Sequence, residues 1–148
     1  MNNRRLYLAL AAIIASVIAL LAFIRGHGRS DAAKAVAEET LWQAQYSGFP
    51  YLDTLQQAES GNVEALTAMM RFSTRADAAG ALGHGMVLVG LLDRVGEEAF
   101  CAAIGGLTSP ERDVLRHSLE GGEAYSRRPS HRAVRDEYPL VHAVLNSR

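Results

Sequence analysis

AAGALGHGMVLVGLL, residues 78 to 92, is fifteen uncharged residues in the body of the chain, and its reading decides the fold. At about 1.5 Å per residue it falls short of a bilayer core of about 30 Å, so we read it as a buried core helix, with a re-entrant or second spanning helix as the alternative. Within it MVLVGLL (86–92) is the one strand-like run; elsewhere no two-residue alternation is framed by hairpin turns. Ala76, Ala79, Gly80 and Gly83 leave one face of the helix without bulk, so a neighbouring helix is expected to approach closely there. Thr74 with Asp77 three residues later has the form of a capping box that opens this helix, and Gly96 stops it.

Outward from that helix the same punctuation repeats. Glu97 and Glu98 begin a helix that runs through Phe100 and Ile104 to the break at Gly105 and Gly106. Thr108-Ser109-Pro110-Glu111 is the clearest start signal in the chain: a Thr cap, an early Pro and a Glu three residues on all agree. That helix is expected to close at Gly121-Gly122, and a last short one to run from Pro139 to Leu145. Upstream, Ser30 can cap a helix through DAAKAVAEETLWQAQY (31–46), which Ser47 to Pro50 break; Pro50 suits the first position of the next. Tyr51, Leu52, Leu55 and Ala58 then recur at helical spacing, and after Gly61 and Asn62 so do Val63, Leu66, Met69 or Met70, and Phe72. The domain reads as all-α.

A glycine followed by Glu-Ala and a large apolar residue recurs in GNVEAL (61–66), GEEAF (96–100) and GEAY (122–125), the first two about 35 residues apart. That period suits stacked helical hairpins of the tetratricopeptide or HEAT kind. Residues 58–70, AESGNVEALTAMM, resemble the Sel1-like helical-hairpin repeats over that stretch, which implies a groove-forming stack. An irregular small helical bundle is the other reading.

The N-terminal residues 1–5 lead into LYLALAAIIASVIALLAFI (6–24), uncharged, flanked by Arg4 and Arg5 before and Arg25 and Arg29 after. Nineteen residues nearly match the bilayer core, and Ala22-Phe23-Ile24-Arg25 is a poor cleavage site, so an uncleaved transmembrane anchor is expected ahead of a linker (25–30) and a helical domain (31–148). The flanking charges nearly cancel. With so short an N-terminal end, the expected topology is single-pass in the inner membrane with the domain in the periplasm.

Composition narrows the function classes. The chain has 148 residues, 49% hydrophobic, with a net charge of -1. Four arginines and no acid in the first 29 residues leave 11 basic and 16 acidic residues for the rest, about -5. A mildly acidic domain argues against binding nucleic acid. Fourteen arginines against the single Lys34 hint at a GC-rich, bacterial coding sequence. Cys101 is the only cysteine, which excludes an intrachain disulfide and a cysteine-rich metal site.

Reactive constellations are sparse. Cys101 with His84 is a conceivable nucleophile and base, but EEAFCAAI suits a thiol packed as a small hydrophobe. His27, His84, His117, His131 and His142 show no i, i+4 pair of imidazoles; Asp113 and His117 have that spacing on a charged helix, where a surface hydrogen bond is the ordinary outcome. The glycines at 80, 83, 85 and 90 match no phosphate-binding pattern. No catalytic residue, metal or cofactor is therefore expected. RRPSHRAVR (127–135) supplies Arg127, Arg128, Arg132 and Arg135 as a basic patch for an acidic partner or lipid phosphates. Trp42 and Tyr46 lie one turn apart, as a core pair or part of a binding face. Those six residues with His84 are the candidate binding residues.

The expectation is thus a non-catalytic, membrane-anchored helical module of the bacterial envelope that binds another protein, either an antibacterial toxin held inactive or a subunit of an envelope complex. The alternatives are a small hydrolase or thiol enzyme built on Cys101 and His84, and a lipid-binding module.

Overall fold

Glycine on two sides of one helix sets the architecture. A computed structural model describes residues 36–126 and 132–147, all within the unit Ala35–Arg148. Among them the regular elements are all helices: α1 (Glu38–Tyr46), α2 (Tyr51–Glu59), α3 (Val63–Phe72), α4 (Ala78–Val95), α5 (Glu97–Ile104), α6 (Ser109–Tyr125), α7 (Val134–Glu137) and α8 (Pro139–Asn146). The expected anchor, the linker and the Ser30 cap lie outside the described residues.

Helix α4 packs against α1, α2, α5 and α6. Val87, Leu88, Val89, Leu91 and Leu92 are buried within these contacts. Among the described residues α4 is the one helix long and apolar enough to cross a membrane. Its apolar side chains are covered by protein on more than one side, which is how a helix at the centre of a core reads.

The small residues of α4 serve two neighbours. A methyl group on Gly83 would lie 2.7 Å from the Ala37 Cβ and 2.7 Å from the Thr40 Oγ1, and one on Gly80 would overlap the Gln43 side chain. So α1 sits directly on this face, and the buried Thr40 hydroxyl donates to the Gly80 carbonyl at 3.0 Å. Further along, Gly85 meets α6 at Gly122. A Cβ on Gly122 would stand 2.1 Å from the Gly85 carbonyl carbon, and one on Gly85 would stand 2.3 Å from the Ser118 oxygen. The two backbones touch with nothing between them.

That contact corrects the expected end of α6. Gly122 does not stop the helix, which continues to Tyr125; glycine is there because no side chain fits against α4. The third member of the glycine echo therefore lies inside a helix, whereas Gly61 and Gly96 do separate helices. Gly96 at φ 81° both ends α4 and precedes α5, a backbone conformation that glycine adopts without strain.

Three other boundaries differ from the sequence reading. Ala37 is extended (φ -62°, ψ 144°), so α1 starts at Glu38 and is not continuous with a helix from residue 31. Pro50 precedes the first residue of α2 instead of occupying it. Thr74 and Asp77 form no capping box: the Thr74 hydroxyl donates to the Arg71 carbonyl, and Asp77 is gripped by Gln43. The Gln43 Oε1 accepts the Asp77 amide at 3.1 Å, while its Nε2 donates to the Asp77 carbonyl and carboxylate. A side chain from α1 thus secures the start of α4.

The Thr108 start signal is as expected, with the Glu111 carboxylate accepting from the Thr108 amide at 2.7 Å and its hydroxyl at 2.9 Å. These bonds and the nearby Arg71 guanidinium hold the Glu111 carboxyl below its ordinary range. At the C-terminal end, acids on other helices take the place of local caps. The Glu123 Oε1 accepts the Val134 amide at 2.9 Å, and the Glu97 Oε1 accepts the Leu140 amide and, at 3.1 Å, the Val141 amide. A carboxylate at a helix N-terminus meets unpaired N–H groups and the positive end of the helix dipole, so these two acids fasten α7 and α8 to the body.

Candidate functional site

His84 is at the centre of the core, fully buried. Its Nε2 lies 3.0 Å from the Met69 carbonyl and its Nδ1 lies 2.8 Å from the Tyr51 hydroxyl. A carbonyl only accepts, so Nε2 carries the proton, and Nδ1 accepts from the tyrosine. The ring stands edge-on to Tyr51 and to Phe72, and Phe49 stacks on Phe72 at 4.8 Å. Burial pulls the His84 pKa down to about 4, only partly opposed by the bond to Met69, and burial drives the Tyr51 hydroxyl upward. Both ring nitrogens are therefore committed, and the imidazole is neutral at pH 7. The candidate binding residue His84 is out of reach of any partner that stays outside the core.

Cys101, half-buried on α5, has its thiol pushed up by burial and by the Glu97 carboxylate. Such a surrounding disfavours the thiolate, the nucleophilic form. His117 Nδ1 meets the Asp113 backbone carbonyl at 2.7 Å, while the Asp113 carboxylate pairs with Arg116 at 3.0 Å. Among the described residues no group of three His, Cys, Asp or Glu side chains is placed to hold a metal ion.

Trp42 and Tyr46 do not enter the core. They are 64% and 83% exposed and stack on each other with centroids 5.6 Å apart and planes 11° from parallel. The opposite side of α1, through Thr40, Gln43 and Ala44, is the side bound to the domain.

A groove of about 440 Å³ runs between the second half of α6 and the α7–α8 segment. Leu119, Val134, Val141 and Leu145 supply its apolar floor. Its lining carries both signs of charge, Arg116 and Arg135 with Glu120 and Glu123, and also His142. Arg116 is braced by Asp113 and by the Asn146 side chain at 3.3 Å. Arg135 is exposed and pairs with Asp136 at 3.6 Å. Of the four candidate arginines, then, Arg135 lines the groove and Arg132 is exposed, while Arg127 and Arg128 lie outside the described residues. Sequence reasoning missed Arg116, Glu120, Glu123 and His142. Their signal was present in part, since 116, 119, 120 and 123 share one helical face.

No family model matches the chain, and neither a curated protein nor a solved structure matches it.

Proposed function

We propose that this chain is a non-catalytic, membrane-anchored protein-binding module of the bacterial envelope. Residues 6–24 hold it in the inner membrane, the helical domain works on the periplasmic side, and a partner protein docks in the groove between α6 and α7–α8. The groove carries this reading. An open cleft with an apolar floor and a rim of charged side chains has the anatomy of a protein-recognition surface, in which buried apolar contact supplies affinity and rim charges supply register.

Two further observations favour a binder over the thiol enzyme. The His84 nitrogens are taken up by Tyr51 and Met69, and burial with the charge of Glu97 pushes the Cys101 thiol up, away from its nucleophilic form. The domain's charge of about -5 suits a basic partner, either an exported toxin kept inactive or a subunit of an envelope complex. We read the domain as a small helical bundle, within which α2 and α3 form a helical hairpin.

A photo-crosslinking residue at Glu120, in full-length protein in its native membrane, tests the assignment. The expected result is one discrete protein adduct at position 120 and none from a control at Gln57, an exposed position on α2. Adducts equally diffuse at both positions, or none at 120, contradict the docking site.

A further inference from the structure

We propose that Trp42 and Tyr46 are a lipid-docking face, which seats α1 in the headgroup layer of the same bilayer that holds the anchor. The inference rests on residues 6–24 being that anchor. α1 presents two large rings outward while its other side is fixed by the Thr40 and Gln43 contacts to α4, so the pair cannot turn inward without breaking them. Mutual stacking covers one face of each ring and leaves the outer faces in water. Tryptophan and tyrosine combine an apolar ring with one polar N–H or O–H, and such rings concentrate at membrane–water interfaces, where each part meets its own medium.

The chain itself commits the occupant to lipid. Only residues 25–37 separate the apolar run from α1, a stretch that reaches at most about 50 Å when fully extended. α1 is the first described helix and is tethered nearer the bilayer, along the chain, than any other in the domain. Residues 25–39 hold Arg25, Arg29 and Lys34 against Asp31, Glu38 and Glu39. With these charges balanced, aromatic insertion and not attraction to anionic lipid is the driving term, so zwitterionic lipid suffices.

Trp42 is the only tryptophan in the chain, so its fluorescence reports this face alone. Full-length protein is reconstituted in phosphatidylcholine vesicles, with and without bromine near the carbonyl end of the acyl chains, and floated on a density gradient. The expected result is that the protein floats, that brominated lipid quenches the emission, and that aqueous iodide loses most of its quenching relative to protein unfolded in urea. Floating protein whose Trp42 remains open to iodide overturns the docking face and leaves the anchor standing. Protection from iodide without quenching by bromine means that protein, a second copy or a partner, covers the rings, and also overturns it. Protein that does not float overturns the docking face together with the anchor.

Discussion

Gly122→Ala is expected to destabilise the domain by about 3 kcal/mol, a fall in Tm of roughly 15 °C, because overpacking against backbone cannot be relieved by a rotamer change. The new methyl carbon would stand 2.1 Å from the Gly85 carbonyl carbon, 2.2 Å from its oxygen and 2.6 Å from the Met86 nitrogen. All three are main-chain atoms of α4, so the two helices must separate, and the leucine and valine contacts on both sides loosen with them. Gly121, one residue earlier on the same helix, has nothing within 4 Å of its Cβ position. There the same substitution is expected to stabilise by about 0.5–1 kcal/mol, since alanine loses less chain entropy than glycine on entering a helix. Thermal unfolding of the two variants beside the parent checks the pair. Similar Tm values for both would show that α4 and α6 do not cross at Gly85 and Gly122.

The second large effect is acid sensitivity from His84. The folded state holds the ring neutral with a pKa of about 4, whereas the unfolded chain restores it to about 6.5. A histidine depressed on folding contributes its stability above the unfolded value and loses it as pH falls toward the folded one. The window is therefore about pH 6.5 to 4. By pH 5 the loss from this one group is about 2 kcal/mol, and it approaches about 3 kcal/mol at lower pH. Protonation puts a second N–H on the ring, facing the Tyr51 hydroxyl that had been donating to it, and leaves a cation in the core. His84→Gln keeps an acceptor for Tyr51 and a donor for Met69 without titrating, so it should flatten the stability curve between pH 7 and 5. His84→Ala leaves the Tyr51 hydroxyl and the Met69 carbonyl unpaired around a cavity, and should lose about 3–5 kcal/mol at pH 7. Urea unfolding at pH 7 and 5 measures both. A parent protein and a His84→Gln variant with the same pH slope would contradict the account.

These two sites also mark the limit of what the sequence made legible. Local signals fixed local structure: the Thr108–Glu111 start, the glycine break at Gly96 and the apolar spacing of 78–92 each correspond to an observed helix feature. A glycine, however, reads the same whether it ends a helix or admits a neighbouring backbone. Gly122 was legible only as a stop, because the reason for it, Gly85, is 37 positions away. Tyr51 read as one more apolar position, and nothing local ties it to His84 at a separation of 33. Asp77 looked like half of a capping box, but its partner is Gln43 on another helix. The groove was hidden for the same reason. Its floor is Leu119 on α6 with Val134, Val141 and Leu145 on α7–α8, and it exists because the Glu123 carboxylate ties α7 to α6 and the Glu97 carboxylate ties α8 to α5. Trp42 and Tyr46 gave the right spacing without the side, which only the seating of α1 on Gly80 and Gly83 decides.

A tethered binder requires that residues 6–24 stay attached and stay in lipid. Washing native membranes at alkaline pH, then measuring the intact mass of the protein in pellet and supernatant, addresses this directly. The expected result is a pelleted chain whose mass includes residues 6–24. Recovery in the supernatant, or a mature chain that begins after Ile24, would contradict it.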